Sequence, residues 1–346
     1  MIFYLFLYIA ALFVGGSSLF KGAEKKFVIS LIFLMFIICV FSFRYNVGYD
    51  WNNYLNIFNN QGNYRLERVY IYVVDYISYR WFIVLTSFIQ LFGLFLLARA
   101  SKCNLATFFC LYVISSNFFE YISPLRQSLA MGIIFIALAT MFTHVYMSFI
   151  IRIASVFFHS STILFVFVKL YGKLKVSPLI KILIPILLYL FGGLFIGLLF
   201  DALSYIPILN LYSGYITNAR FGLENSGSGM AILVELVLSL VIYYLCLAYS
   251  KFKEEKYYDV LSGLSFLYLI IIPLTEHVVI FTRVKFIFQT FFLLFVCLSF
   301  KKLSYKRFWD VIFLCVSIIL FTFYTFKYFS FILGTSGFIP FSLSIH

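Results

Sequence analysis

Charged residues are scarce in this sequence: Asp, Glu, Lys and Arg make up only 11% of the 346 residues, while 64% of them are hydrophobic. A soluble domain of this length has no single core large enough to bury so much apolar surface. A lipid bilayer can solvate such a chain. The shortage of charged residues therefore argues against an ordinary soluble protein and predicts an integral membrane protein.

Cysteine motifs and nucleic-acid motifs are also missing. The six cysteines are scattered without CxxC spacing, which argues against a metal site or a disulfide framework. The net charge of +13 comes with no basic helix and no RNA-binding motif, so we expect no nucleic-acid partner. The lysines lie in short tracts between apolar runs, which is the pattern of the positive-inside rule.

Eleven apolar runs organise the chain, each close to the ~20 residues that a helix needs to cross a membrane. Alternating segments typical of β-barrels are absent. We therefore predict an all-α polytopic membrane protein, one integral membrane domain over residues 1–346 with about 10–12 transmembrane helices. The runs lie at about residues 1–20, 27–43, 81–98, 105–122, 126–143, 149–168, 182–200, 230–249, 258–274, 284–300 and 308–326.

The segments between the runs are of two kinds. Short Lys-rich segments, such as residues 21–26 and 301–307, are typical of cytoplasmic loops. Residues 44–80 and 201–229 are longer, aromatic and mixed in charge, and we predict that they are external loops. The first run has no basic n-region and no clear cleavage site, so we expect it to be a retained span.

This topology contains one conflict. Three runs separate Lys102 from the Lys-rich segment 169–181, and an odd number of crossings cannot place both inside. Either one run is re-entrant or broken, or one loop violates the positive-inside rule. Residues 156–162 are a candidate break because polar groups cluster there, and broken backbone at membrane depth must be enclosed by protein or a wet cavity.

The segment directly after the second run holds the first candidate site. Arg44 is a permanent cation with a forked donor, and Gly48 allows a close backbone approach. Asp50 can accept hydrogen bonds from sugar hydroxyls, while Trp51 and Tyr54 offer stacking faces. An interfacial aromatic belt with an Arg–Asp pair explains the same residues, and the sequence leaves both interpretations open.

A second candidate follows Pro124, which suits the first turn of a helix. Arg126 and Gln127 then lie near the start of that helix, where the helix dipole favours anions over cations. Together, Arg126 and the exposed amides could bind an anion such as a diphosphate. The structural alternative is a snorkelling arginine paired with Glu120.

Three further positions need an explanation. His159 lies in the run with the candidate break, where it is either a core residue or a group for proton transfer. Arg220 is the one cation of the 201–229 loop. Arg283 and Lys285 open the tenth run, where they bind an anion or, for Lys285, simply anchor the helix at the interface.

Four arginines map to the external side against the positive-inside bias: Arg44, Arg126, Arg220 and Arg283. This placement predicts an anionic ligand on that face, and a lipid-linked diphosphate is the membrane-resident anion that fits. A pump or channel more naturally carries acidic residues at mid-span. We find none deep in a run.

These motifs resemble the EpsG family, part of the Wzy-type group of bacterial polysaccharide polymerases. The resemblance covers nearly the whole chain and rests on the set of short motifs and their order. They are Arg44–Gly48–Asp50–Tyr54, the segment 126–130, His159 in an FH-S context, Arg283 opening a late span, and the ending 337–341.

The resemblance implies a GT-C-like arrangement of helices with an external cavity, in the bacterial cytoplasmic membrane with the active site facing outside. Such enzymes join undecaprenyl-diphosphate-linked oligosaccharide units, which serve as both donor and acceptor, into O-antigen, capsule or exopolysaccharide. It implies no metal, no cofactor and no nucleotide sugar. A chain-length regulator and a flippase are the partners that it suggests beside the lipid bilayer.

The resemblance also implies roles for the candidate residues. The arginines would hold the diphosphate as it leaves, and either His159 or Asp50 would deprotonate the acceptor hydroxyl. Gln127, Trp51 and Tyr54 would contact the sugar. Other functions stay open at this point: a lipid-linked oligosaccharide flippase, a glycan ligase with related chemistry, or a membrane scaffold.

Overall fold

The computed structural model describes most residues of the chain. They form two compact units, residues 1–168 with 324–346, and residues 169–323. The described residues are 2–19, 23–59, 75–173, 176–204, 229–248, 255–278, 280–300, 308–334 and 342–343.

Helices dominate both units, and the all-α polytopic membrane fold is confirmed. The elements before residue 169 are α1 Ile2–Gly16, α2 Ala23–Ser42, β1 Arg44–Tyr45, α3 Trp51–Asn59, α4 Tyr79–Ala100, α5 Leu105–Ile114, α6 Asn117–Ile122, α7 Leu125–Ala139, α8 Val145–Val156 and the 3₁₀ helix Ser160–Phe165. The later elements are α9 Val168–Lys173, α10 Pro178–Ser204, α11 Met230–Ala248, α12 Tyr258–Leu274, α13 Ile280–Phe300, α14 Phe308–Gly334 and β2 Ser342–Leu343.

Five of these helices, α4, α10, α11, α13 and α14, contain segments long and apolar enough to cross a membrane. Six more helices contain shorter apolar segments of 10–17 residues: α1, α2 (its segment Lys26–Ser42), α5, α7, α8 and α12. A 15-residue helix is only about 22 Å long, short of the ~30 Å hydrocarbon core. The multi-pass character is therefore clear, while the count of about 10–12 spans stays a prediction.

The sixth apolar run is broken where the polar cluster predicted a break. Helix α8 ends at Val156, and a 3₁₀ helix begins at Ser160. Arg152, which is 3% exposed, holds the two pieces together. Its Nε donates to the Ser148 carbonyl at 3.2 Å, and its Nη1 donates to the carbonyls that end the 3₁₀ helix, at 3.2 and 2.8 Å. This buried arginine was missed in the sequence, although an arginine inside an apolar run is itself a signal.

Helices α4 and α7 cross at two glycines. A Cβ placed on Gly93 would lie 2.5 Å from the Gly132 carbonyl oxygen, and one placed on Gly132 would lie 2.7 Å from the Gln90 Cα. Backbone contact this close requires small residues, as at many helix crossings in membranes. The crossing fixes α7, whose first turn carries Arg126, against α4.

The first unit is also closed by its most distant segments. Strand β1 pairs antiparallel with β2, so that Arg44 faces Leu343 and Tyr45 faces Ser342. Helix α14 contacts α1 through a hydrogen bond between the Tyr8 and Thr325 hydroxyls, 3.0 Å long. The segment after α2 is therefore held by the C-terminal part of the chain.

Candidate functional site

The segment after α2 lies directly against the turn between α6 and α7. Gly48 has a φ of +115°, and a Cβ there would lie 3.2 Å from the Ser123 hydroxyl oxygen. The backbone N–H of Tyr49 donates to the same oxygen at 3.0 Å. Glycine is required at position 48 for both reasons. The predicted close approach is therefore present, and it joins the first two candidate regions.

Arg44 is buried in this junction, with 2% of its surface exposed. Its Nη1 donates to the Phe41 carbonyl at 2.7 Å and to the Ser87 hydroxyl at 3.3 Å, and its Nη2 donates to the Ile122 carbonyl at 3.1 Å. Both carbonyls belong to helix C-termini, where unpaired carbonyls and the helix dipole favour a cation. Arg44 therefore ties the end of α2 to the end of α6.

Burial lowers the pKa of Arg44 to about 10, so the guanidinium stays charged at neutral pH. A small cavity adjoins it, lined in part by Thr86, Ser87 and Gln90, with room for about one water molecule. The Arg44 Nε and the Thr86 hydroxyl have no partner among the described residues. A single water is the occupant that fits this space. The geometry favours a positioning role for Arg44 over the direct diphosphate contact that we expected.

Arg126 is positioned differently, since its side chain is only partly buried. It is the second residue of α7, whose N-cap residue, Pro124, makes no side-chain capping bond. Its backbone N–H points to the Tyr54 hydroxyl at 3.5 Å, and its guanidinium also hydrogen bonds to that hydroxyl. Burial raises the pKa of Tyr54, while the charge of Arg126 opposes that shift. A cation thus lies beside the N-terminus of α7, as predicted from the sequence.

Asp50 precedes α3 and lies close to the same tyrosine. Its carbonyl accepts the Tyr54 N–H at 3.0 Å, and the Asn53 side-chain amide approaches its carboxylate at 3.4 Å. The negative charge of Asp50 also acts on the Tyr54 phenol. The structure therefore brings a partly exposed carboxylate, a buried tyrosine and a partly buried arginine into one constellation within the first unit, made of Asp50, Tyr54 and Arg126.

The predicted sugar-contacting residues are buried. Trp51, Tyr54 and Gln127 are 7%, 8% and 5% exposed. The Trp51 ring packs edge-on against Tyr45 and Tyr79, with centroids 5.7 and 5.1 Å apart. These rings form a packed cluster and offer no open stacking face in this conformation. Tyr45, 52% exposed, is a better-placed aromatic ring in the same segment.

His159 lies between α8 and the 3₁₀ helix, and one ring nitrogen has a structural task. Its Nδ1 accepts the backbone N–H of Ser161 at 3.2 Å and lies 2.8 Å from the Ser161 hydroxyl. A neutral imidazole that accepts at Nδ1 carries its proton on Nε2, where it can only donate. This network disfavours His159 as the general base and leaves Asp50 as the better candidate. The adjacent Phe158 packs on the cluster that contains Tyr54 and Leu125.

The second unit contains Arg283, which is partly buried near the start of α13. Two residues further on, Lys285 is buried and forms an ion pair with Glu235 of α11, with Nζ 3.3 Å from Oε2. The Tyr268 hydroxyl of α12 donates to the other Glu235 oxygen at 2.7 Å. Two expectations are thereby corrected: Lys285 is no interface anchor, and Glu235 is an acidic residue inside an apolar run. Arg220 and most of the 201–229 loop lie outside the described residues.

The turn between α12 and α13 packs through two polar side chains. A Cβ on Gly229, whose φ is +63°, would lie 2.6 Å from a Glu276 carboxylate oxygen. The His277 ring fills a notch at Gly192 and Gly193 of α10, and its Nε2 has no partner among the described residues. The start of α13 is thus fixed by α10 and by the entry into α11.

Comparison with known proteins gives one match. The model of the EpsG family matches residues 27–343. No curated protein and no solved structure matches the chain. The family match covers well over half of the sequence and includes residues of both units. The chain therefore belongs to the EpsG family, a family of Wzy-type polysaccharide polymerase-like proteins.

Proposed function

We propose that this protein polymerises undecaprenyl-diphosphate-linked oligosaccharide repeat units on the outer face of the bacterial cytoplasmic membrane. It is a glycosyltransferase that uses neither a metal nor a nucleotide sugar. The product is a surface polysaccharide such as O-antigen, capsule or exopolysaccharide. The observation that carries the proposal is the partly exposed Arg126 at the N-terminus of α7, beside Tyr54 and Asp50.

A cation at a helix N-terminus is explained by an anionic ligand. The N–H groups of the first turn and the positive end of the helix dipole repel the Arg126 guanidinium. They attract phosphate oxygens, and the guanidinium attracts the same oxygens. A diphosphate bound there gains charge-assisted hydrogen bonds from the guanidinium. Arg126 therefore binds the donor's diphosphate. Diphosphate binding by Arg283 and Arg220 is proposed from the family resemblance alone.

The reaction exchanges one glycosidic bond for another. The acceptor hydroxyl oxygen attacks the anomeric carbon of the donor chain, and the bond from that carbon to the diphosphate oxygen breaks with its electron pair going to the diphosphate. Arg126 stabilises this developing charge. Asp50 takes the acceptor proton as general base, and the His159 Nε2–H donates a hydrogen bond to the ligand. Tyr54 orients the Arg126 guanidinium.

Deletion of the gene tests the activity. The deleted strain is expected to carry single repeat units and no long polymer. Expression of the wild-type chain is expected to restore the ladder of polymer lengths on a gel of surface glycan.

Arg126→Ala is expected to lower polymer formation by about a hundredfold, the usual cost of removing one charge-stabilising donor. Arg99→Ala is the matched control, since Arg99 is an exposed arginine in the last turn of α4. Unchanged polymer length in the Arg126 variant contradicts the proposal.

A flippase for the same lipid-linked units is the second candidate, and the buried Glu235–Lys285 pair favours it. Ion pairs inside membrane helices often line transport paths. The deletion strain separates the functions: a missing polymerase leaves single units outside, whereas a missing flippase leaves lipid-linked units inside. A missing ligase leaves long polymer still attached to its lipid carrier.

A further inference from the structure

The hydroxyl of Thr86 differs from other hydroxyls in the helices of this protein. Several of those bond to the carbonyl four residues earlier in the same helix, which satisfies them locally. This bond is made by Ser30, Ser265, Thr290, Ser299 and Thr322. Thr86 of α4 is only 1% exposed, yet its hydroxyl bonds neither to its own helix nor to any other described residue. Thr86 lines the cavity beside Arg44, so its hydroxyl is available to a molecule in that cavity.

The Arg44 guanidinium brings a second polar group to the same cavity. Its two terminal nitrogens donate to protein oxygens, whereas its Nε has no partner among the described residues. The Ser87 hydroxyl accepts a bond from Nη1 and also lines the cavity, and its own proton can be donated. One water molecule fits this space, and these three groups are the usual number of partners for a buried water.

The cavity lies next to the start of α7. Thr86, Gln90 and Gly93 follow one another at positions i, i+4 and i+7, so they share one face of α4. This face meets α7, because a Cβ on Gly93 would lie 2.5 Å from the Gly132 carbonyl oxygen. Leu125, the first residue of α7, also lines the cavity. A water bound here therefore contacts the place where the segment after α2, helix α4 and the first turn of α7 come together.

We propose that Thr86 and the Arg44 Nε bind one buried water molecule, and that Thr86 is thereby a positioning residue for Arg44. The water completes the bonds of the guanidinium and fixes its rotation, so that Nη1 and Nη2 hold the carbonyls of Phe41 and Ile122 in one arrangement. These carbonyls end the two helices that lead into Asp50 and into α7. The water site is independent of the proposed polymerase function, whereas the positioning role rests on it.

X-ray radiolysis of the protein in nanodiscs tests the water without any reaction. Hydroxyl radicals formed from a buried water oxidise the side chains beside it, and Phe41 and Phe118 line the cavity at 1% and 2% exposed. We expect both rings to be oxidised in the wild type and at least about fivefold less in Thr86→Val, which keeps the shape but loses the hydroxyl. Phe82, fully buried on α4 and outside the lining of this cavity, is the control ring. Absence of oxidation in the wild type, or equal oxidation in the variant, overturns the inference.

Polymerisation rates test the positioning role. They are measured in membrane vesicles of the host strain, which contain its own lipid-linked units, and are divided by the amount of the protein in the membrane. Thr86→Val is expected to lower this rate by about tenfold to a hundredfold, as misplacement of a reacting group does. Thr86→Ser keeps the hydroxyl and is expected to restore most of the rate. Thr322→Val, at an exposed threonine bonded to its own helix, is the matched control. A normal rate in Thr86→Val, or no rescue by serine, refutes the positioning role.

A double variant shows whether Thr86 acts through Arg44. Arg44→Lys keeps a positive charge but has no Nε–H to bind the water, so adding Thr86→Val to it is expected to lower the rate no further. Effects that multiply mean that Thr86 acts by another route, and the inference falls. The two proposals are also separable. Loss of ring oxidation in Thr86→Val supports the water site even in a strain whose polymer is unchanged by Arg126→Ala, a result that refutes the proposed function alone.

Discussion

The two units bury their cations by different means. In the first unit, Arg44 and Arg152 bond to backbone carbonyls at the ends of helical segments. In the second unit, Lys285 bonds to a carboxylate side chain. Arginine offers several donors in a rigid fork that reaches two carbonyls at once, whereas the compact lysine ammonium needs a concentrated negative charge. The buried arginines of the first unit therefore have no single partner side chain. Lys285 has one, Glu235, which can be substituted together with it.

Arg44→Met should show the largest effect of this difference. It leaves the Phe41 and Ile122 carbonyls without their donor, and we expect a loss of about 4 kcal/mol in the free energy of unfolding. Thermal unfolding of the purified protein in detergent measures it. Arg99→Met, at an exposed arginine, is the control and should change little. A variant as stable as the wild type contradicts the capping role of Arg44.

Lys285→Met should cost about 3 kcal/mol, since a buried carboxylate loses its counter-charge. The difference from Arg44 lies in rescue: adding Glu235→Leu should recover most of the lost stability in the same assay. Failure to recover means that the pair is needed for folding itself, and the contrast between the two units then disappears.

Gly132→Val tests the backbone contact that holds the first unit together. The new side chain collides with the Gln90 backbone, and we expect a loss of about 2 kcal/mol from overpacking. Gly197→Val is the matched control, because nothing lies within 4 Å of a Cβ placed at that helical glycine. Equal unfolding temperatures for the two variants would show that α4 and α7 can move apart at no cost.

Tyr268→Phe should show the smallest effect. It removes one of the two donors of Glu235 but leaves the ion pair, so the expected loss is about 1 kcal/mol. Tyr146→Phe, at a position 87% exposed, is the control. A loss as large as that of Lys285→Met would mean that the tyrosine, and not the lysine, holds the carboxylate.

The sequence was sufficient for the class of fold, the position of most helices, the break after Val156 and the family. These features follow from hydropathy and local polarity, which a single sequence contains. The break was predictable because His159 and its hydroxyl-bearing neighbours interrupt an apolar run. Asp50, Tyr54 and Arg126 were each singled out from the sequence, but only the structure shows that they lie together.

The direction in which side chains face was not predictable. Arg44 was expected to meet a ligand, but two helix ends take up its donors. Glu235 was overlooked because the surrounding residues make its run strongly apolar, and Trp51 was expected to be open because an aromatic residue in a loop often is. The position of a residue within an apolar run indicates its depth in the membrane. Which neighbour covers it depends on helix packing.

The pairing of β1 with β2 has a consequence for biosynthesis. Arg44 and Tyr45 leave the ribosome early, but their partners Ser342 and Leu343 are made after the entire second unit. The first unit can therefore close only after the whole second unit has been made. A nascent chain that has not yet reached Leu343 lacks this strand, so the segment beside Asp50 stays unclosed until that point of synthesis.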